Sequence, residues 1–140
     1  MTLPALRDDA LTVDGADVVV RLSLPWIRSL PLSSVLDLAL SIDGAPVDDL
    51  LVDLGGRLIA PGELAQETRW WFLQDRLVLR ASTILPEGVH DVLVTFRLAI
   101  PYLPAGPDAP LTLPFEVRCE LTARPETSHA RASEVSRDVL

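Results

Sequence analysis

The chain has 140 residues, a formal net charge of −8 and one cysteine, Cys119, and its length is that of about one domain. The acidic balance argues against unspecific nucleic-acid binding, because neutralising phosphates requires a basic face, and a single cysteine excludes a disulfide framework or a multi-cysteine zinc site. No apolar run approaches the roughly 18 residues of a membrane span and no secretory pattern opens the chain, so we expect a cytoplasmic protein without nucleic-acid or membrane partners.

Alternating apolar and polar residues, the period of a strand with one buried face, recur along the chain. In residues 111–123, for example, every odd position is apolar or small and the even positions are almost all polar. The predicted strands, in chain order, are residues 17–24, 35–42, 50–54, 69–73, 76–82, 89–103 and 111–123. The best helical candidate is the stretch 61–68, of one or two turns.

Turn residues separate these strands at the spacing of an antiparallel sandwich. They are Asp14-Gly15, Asp43-Gly44, Gly55-Gly56, Pro61-Gly62 and Glu87-Gly88. The sequence therefore predicts an all-β protein with seven or eight strands and at most one short helix: an antiparallel two-sheet β-sandwich, with a jelly roll or a small barrel as close relatives. Residues 1–124 are predicted to form this single domain, and the polar residues 125–140 a mobile tail unless a partner orders them.

Motifs for catalysis or metal binding are missing from the sequence. His90 and His129 are the only histidines and have no metal-ligand spacing, and no nucleophile elbow, phosphate-binding loop or dinucleotide-binding turn occurs. Cys119 falls on the apolar face of its predicted strand, where a small buried hydrophobe is expected. By its own chemistry the chain does not resemble an enzyme, and we predict no catalytic or metal-ligating residue on it.

Aromatic and arginine residues occupy positions that a solitary sandwich would not need. Trp70 and Trp71 are adjacent, so on a strand one can enter the core and the other must point away from it. The stretch "SLPWIRSLPLSSV" (23–35) places Trp26, Ile27, Arg28 and Leu30 on a connection bounded by Pro25 and Pro31, and "IPYLP" (100–104) adds Tyr102. Trp, Tyr and Arg dominate binding hot spots. Either these rings cap the open ends of the core, or they form an interface.

Three stretches carry a resemblance to a known family. They are "VVVRLSLPWIRSLPLSSVLDLALSIDGAPV" (18–47), with its Pro-aromatic-x-Arg-x-x-Pro-Leu-Ser loop, "LGGRLIAPGELAQETRWWF" (54–72) and "LPEGVHDVLVTFRLAIPYLP" (85–104). These stretches resemble the small β subunit of bacterial C-glycoside deglycosidases, and the likeness spans roughly residues 11–124.

The resemblance implies a non-catalytic subunit that stabilises and shapes a larger α subunit with a sugar phosphate isomerase-like TIM barrel. That barrel would hold the divalent metal ion, Mn²⁺ or Mg²⁺, and the acid/base residues, and this chain would hold no cofactor. The complex would cleave the carbon–carbon bond between aglycone and sugar in 3-oxo-C-glycosides by an enolate-forming elimination.

Within this hypothesis the loop from Pro25 to Leu32 is a pre-shaped wedge that binds the α subunit. Pro25 and Pro31 limit its entropy loss, since each proline has a fixed φ. Trp26, Ile27 and Leu30 would fill grooves of the partner, and Arg28 would pair with a carboxylate. The predicted partner-binding residues are completed by Tyr102 and one of Trp70 or Trp71.

Two other classes of function stay open at this point. A stand-alone carbohydrate-binding or protein-interaction sandwich could stack Trp26 and Trp71 on pyranose rings. A small stand-alone enzyme could use Glu63 or His90.

Overall fold

A computed structural model describes residues 5–107, 109–125 and 137–138 of the chain. Two 3₁₀ segments, Leu32–Ser34 and Pro61–Gln66, are the helical elements among these residues. The second lies within the stretch 61–68 that was predicted to form one or two helical turns, but it is not an α-helix. The described strands are β1 (Leu11–Asp14), β2 (Asp17–Ser23), β3 (Leu30–Pro31), β4 (Val35–Ile42), β5 (Ala45–Pro46), β6 (Leu51–Asp53), β7 (Leu58–Ile59), β8 (Trp70–Trp71), β9 (Asp75–Ala81), β10 (Gly88–Gly106), β11 (Ala109–Pro125) and β12 (Arg137–Asp138).

The strands form one large mixed sheet and one small sheet. The large sheet runs in the order β5-β4-β10-β11-β1-β2-β9-β6-β7, with β12 also beside β9, and the small sheet pairs β3 with β8. The all-β class is confirmed, but the clean antiparallel two-sheet sandwich of seven or eight strands is wrong. β11 continues to Pro125, where Arg124 and Pro125 pair in parallel with Thr12 and Val13 of β1, and this contact joins the two halves of the path into one sheet.

Both halves of the large sheet bury their apolar residues in a single core. β2 is buried on both faces, because each of its residues after Asp17 is shielded from solvent. The alternating strands β4 and β10 each give one face to the core. Fully buried side chains in this cluster include Leu22 of β2, Leu40 of β4, Leu77 and Leu79 of β9, and Leu98 and Ile100 of β10. Each Å² of apolar area removed from water contributes about 25 cal/mol to the free energy of folding, so this shared core is the main stabilising element.

β10 and β11 form a hairpin that is longer than the strands around it. Their register is regular from Gly88↔Ala123 to Ile100↔Leu111 and irregular beyond it. β4 pairs with β10 only as far as Val35↔Leu98. The part of the hairpin beyond Leu98, here called the hairpin arm, therefore extends past β4, and it carries Tyr102.

Part of the predicted tail, residues 125–140, is described. Pro125 ends β11, and Arg137 and Asp138 lie parallel to Asp75 and Arg76 of β9. The rest of the tail, including His129, lies outside the described residues, so its mobility stays a prediction. Among the residues with assigned structure, no helix has the length and apolarity needed to cross a membrane.

Candidate partner-binding surface

The small sheet fixes the proline-bounded connection against β8. Leu30 is opposite Trp71 and Pro31 is opposite Trp70. The Leu32 amide donates to the Arg69 carbonyl at 3.0 Å, and the Leu73 amide donates to the Ser29 hydroxyl at 2.9 Å. Since side chains alternate between faces along a strand, Leu30 and Trp71 point inward together and Pro31 and Trp70 point outward together.

Trp71 is the tryptophan that enters the core. Its side chain is fully buried and its indole Nε1 donates to the Asp75 carbonyl at 3.0 Å, whereas Trp70 is 48% exposed. The prediction that one of the two enters the core and the other is left at the surface is confirmed. Leu30 is only 1% exposed, so the expectation that it fills a groove of the partner is corrected: its pairing with Trp71 turns its side chain into the chain's own core.

Trp26, Arg28 and Tyr102 meet at the base of the hairpin arm. The Trp26 indole Nε1 donates to the Tyr102 hydroxyl at 2.6 Å, and the Arg28 guanidinium lies over the Tyr102 ring, 5.4 Å from its centroid. The Trp26 ring packs edge-on against Phe115, with centroids 6.4 Å apart. The structure thus brings together three of the residues predicted to bind a partner, of which Tyr102 is distant in sequence from Trp26 and Arg28.

A series of ring contacts connects this group to the core. Phe115 stacks on Phe96 at 5.5 Å, and Phe96 in turn lies 6.5 Å from Trp71. Phe96 and Trp71 are buried, while Phe115 and Trp26 are half-buried. Trp26 therefore caps the open end of the core, as one of the two interpretations of the sequence expects, and it also holds the loop that presents Ile27 and Arg28.

Exposed apolar side chains lie on the loop and on the two segments that it contacts, β8 with its following turn and the hairpin arm. Ile27 is 76% exposed. Pro25 and Pro31, on either side of it in the sequence, are half-buried. We call this the aromatic surface, consisting of Trp26, Ile27, Arg28, Trp70, Phe72, Leu73, Tyr102 and Leu103. Exposed apolar patches rimmed by polar residues mark interaction sites.

Phe72, Leu73 and Leu103 belong to this surface but were missed by the sequence prediction. A signal for the first two was present, because four large apolar residues in a row, Trp70 to Leu73, cannot all face inward from one strand. In the structure Phe72 and Leu73 lie in the turn after β8, where the Phe72 carbonyl accepts from the Asp75 amide at 3.0 Å. Leu103 had no comparable signal, since its exposure results from the extension of the hairpin arm past β4.

Arg28 is the charged member of the aromatic surface. Within the described part of the chain its guanidinium has no carboxylate partner, only the Tyr102 ring. Arg57, by contrast, lies 2.7 Å from the Glu67 carboxylate, and this contact lowers the pKa of Glu67. Among the described residues the planar donors of Arg28 are therefore not used by a carboxylate.

His90 is buried and both of its ring nitrogens are engaged. Nδ1 lies 2.6 Å from the Asp43 carboxylate and Nε2 lies 2.8 Å from the Pro86 carbonyl. Both partners accept hydrogen bonds, so the doubly protonated ring satisfies them best. The hydrogen bond that His90 donates to Asp43 raises the pKa of His90, and the same bond lowers the pKa of Asp43. Asp43 is held in place by a tight turn in which Asp43 and Gly44 have φ angles of 53° and 81°, as in a type I′ hairpin.

This geometry bears on the two alternative classes of function. His90 offers no free ring nitrogen for a substrate proton, and the Glu63 carboxylate accepts from the Ala60 amide at 2.9 Å as a cap of the second 3₁₀ segment. Trp71 is buried, so the sugar-stacking pair of Trp26 and Trp71 is wrong. In the described ranges no three or more His, Cys, Asp or Glu side chains are grouped to hold a metal ion, and we assign no step through a metal to this chain.

Comparisons with known proteins give consistent relatives. No protein-family model matches the chain. It is 34% identical over 102 residues to the 3'-dehydrocarminate deglycosidase beta subunit of a Microbacterium species, covering 70% of this chain and 77% of that protein. It is 38% identical over 100 residues to a C-glycoside deglycosidase beta subunit of Arthrobacter globiformis, covering 66% and 74% respectively. A protein of the same description from Microbacterium trichothecenolyticum is 34% identical over 102 residues, with 70% and 78% covered.

Proposed function

This chain belongs to the C-glycoside deglycosidase beta subunit family, and we propose that it is the small non-catalytic subunit of a complex that cleaves 3-oxo-C-glycosides. The larger subunit would be a sugar phosphate isomerase-like TIM barrel that carries the acid/base residues and a Mn²⁺ or Mg²⁺ ion. The single cysteine of the chain fits a complex in the reducing cytoplasm. The role of this chain is to stabilise and shape the barrel.

The proposed reaction is an elimination. The 3-keto group acidifies the C2 proton of the sugar, and a base of the larger subunit removes that proton to give an enolate. The electron pair then forms the C1–C2 double bond as the C1–aglycone bond breaks, and the departing ring carbon takes up a proton. A divalent metal ion supplies Lewis-acid stabilisation of the enolate oxygen. These groups are assigned to the larger subunit because the two candidates on this chain, His90 and Glu63, are held in structural hydrogen bonds.

The observation that carries the subunit role is the aromatic surface. It combines rigid rings, an unshielded Ile27 and an Arg28 with unused donors, which is the composition of a binding hot spot. The loop is already fixed by β8, by Ser29 and by the Trp26–Tyr102 hydrogen bond. A partner therefore meets a pre-organised surface and the complex loses little conformational entropy on forming.

Ile27 gives the sharpest test, since its side chain has little role inside the chain. Ile84 is a matched control. It is 83% exposed, close to the 76% of Ile27, and it lies outside the aromatic surface. We expect Ile27→Asp to weaken binding to the larger subunit by about tenfold or more, a loss of about 1.4 kcal/mol or more. Ile84→Asp should leave binding unchanged. The measurement is the dissociation constant from titration calorimetry or co-purification at micromolar concentration.

Deglycosidase activity on a 3-oxo-C-glucoside provides the second measurement. Activity should require both subunits and should be low when the larger subunit is mixed with an equal amount of the Ile27→Asp chain. An excess of the Ile27→Asp chain should restore the activity, because the substitution affects assembly and not chemistry. Equal affinity of the two aspartate variants, or turnover by this chain alone, would refute the assignment.

A further inference from the structure

We propose that the open edge of β11 pairs with the β11 edge of a second copy of this chain, around a two-fold axis at Val117. Among the described residues β11 pairs with β10 on one edge and, at Arg124 and Pro125 only, with β1 on the other. Within that described part of the chain the edge from Leu111 to Ala123 has no partner strand. This edge is far longer than the usual five- or six-residue strand. Long exposed edges are templates for a further strand. This inference is independent of the proposed function.

Pro114 establishes which backbone groups point to the open edge. It is opposite Arg97 of β10, and it has no N–H to give to that strand, so this is a non-hydrogen-bonded pair with respect to β10. The register has no irregularity between Leu111 and Ala123. The even residues of β11 therefore direct their backbone polar groups outward, with Pro114 offering only its C=O, and the odd residues direct theirs to β10.

The ends of the open edge define its centre. At one end, β1 pairs with Arg124. At the other end, the register between β10 and β11 becomes irregular at Pro110 and Ala109, near the tip of the hairpin. The available stretch, residues 111–123, has Val117 as its midpoint. An antiparallel copy uses the whole stretch only when Val117 faces Val117, which is the symmetric arrangement that a two-fold axis demands.

The charges favour the same register. With Val117 at the axis, Glu116 of each copy faces Arg118 of the other. Both are on the exposed face, where Arg118 is 62% exposed and its one described partner, Asp91, lies 3.6 Å away. Opposite charges directly across an antiparallel pair stabilise it and like charges destabilise it. A shift of the axis by one residue to Arg118 would put arginine against arginine.

The apolar face of β11 gains from the same contact. Its odd residues are half-buried from Leu111 to Cys119, and those from Leu113 to Cys119 pack against the core from one side. In the symmetric pair Phe115 faces Cys119 of the other copy and Leu113 faces Leu121. These half-buried side chains thus pack against those of the second copy, which removes further apolar area from water.

Charge reversal tests the pairing directly. Sedimentation of the 140-residue chain at micromolar concentration should give twice the 15.3 kDa chain mass. Glu116→Arg or Arg118→Glu alone places like charges across both symmetric contacts and should weaken the dimer by about tenfold or more. An equal mixture of the two variants should restore the dimer, because each strand then meets opposite charges, and so should the double variant. Glu120→Arg is the control, since Glu120 faces Pro114 in this register.

A cross-link tests the position of the axis. Residues at a non-hydrogen-bonded antiparallel pair have Cα atoms about 4.5 Å apart, within disulfide range. Val117→Cys in a Cys119→Ser background should therefore form a dimer-specific disulfide on mild oxidation. Leu113→Cys in the same background should not, because Leu113 faces Leu121 of the other copy. The oxidation is carried out on the chain alone and in the complex with the larger subunit.

A chain that sediments at 15.3 kDa, and whose Val117→Cys variant gives no cross-link in either setting, would overturn the proposal. It would also be overturned if the charge variants sedimented as the unmodified chain does. If Glu116→Arg instead abolished binding to the larger subunit while the chain alone stayed monomeric, the edge would belong to that subunit.

Discussion

His90 shows how a single side chain that looks catalytic in the sequence becomes structural in the fold. It is opposite Leu121 in the hairpin, and the tight turn at Asp43-Gly44 brings a carboxylate from the adjacent strand to its Nδ1. The sequence predicted the turn and the strand, but not that the two would meet. Their meeting depends on the register between β4 and β10, which no local pattern specifies.

This contact makes stability depend on pH in two directions. The pKa of His90 is raised by its hydrogen bond to Asp43, so its contribution is present below the unfolded pKa of about 6.5 and is lost as pH rises through the folded pKa. The pKa of Asp43 is lowered, so its contribution is present above the unfolded pKa and is lost as pH falls through the folded pKa. Melting temperature should therefore be highest between these limits.

The measurement is a melting-temperature series over pH for the chain and for His90→Gln and Asp43→Asn. His90→Gln should lose the decline on the alkaline side, because glutamine does not titrate. Asp43→Asn should show a smaller decline than the unmodified chain, because the hydrogen bond to Pro86 alone then raises the pKa of His90. Parallel curves for the three proteins over this range would show that the contact does not couple protonation to folding.

At the scale of elements, the long alternating strands were predictable and the short pairings were not. β2, β4, β9, β10 and β11 begin and end within a few residues of their predicted ends, although β2 and β9 are buried on both faces and not on one. The two-residue strand β8 lies within the predicted strand 69–73, whereas β3, β5, β7 and β12 have no period to detect, because they are defined by what they pair with. The pairing of β1 with the end of β11 likewise depends on contacts between distant segments and leaves no period in the sequence. This pairing is why the predicted two-sheet arrangement was wrong.

β8 makes this distinction measurable, since its two tryptophans have opposite environments. Trp71→Ala removes a fully buried ring and its hydrogen bond to Asp75, and should lower the free energy of unfolding by about 3–5 kcal/mol. Trp70→Ala removes an exposed ring and should change it by about 0.5 kcal/mol or less. Urea unfolding of the two variants measures both values.

Trp70→Ala should still weaken binding to the larger subunit, because its ring belongs to the aromatic surface. A large loss of stability from Trp70→Ala, or a small one from Trp71→Ala, would mean that the two rings are exchanged between core and surface in solution.

For the whole molecule, the sequence identified most members of the aromatic surface but not how they are arranged. Trp26, Arg28 and Tyr102 were identified by residue type and by the prolines around them, and the structure brings them together through the hairpin arm. Leu30 was misplaced because its direction follows from the β3–β8 pairing. The complete surface depends on three segments that are distant in sequence, so only the fold could reveal it.

The central claim is that the aromatic surface binds a larger subunit, and hydrogen exchange of the free and bound chain tests it most directly. Backbone amides in residues 25–32, 69–73 and 101–103 should exchange more slowly in the complex, because they carry or flank the surface that becomes covered. Residues 82–87, around Ile84, should exchange at the same rate in both states. Unchanged exchange in the first three segments, with protection confined to other parts of the chain, would contradict the account.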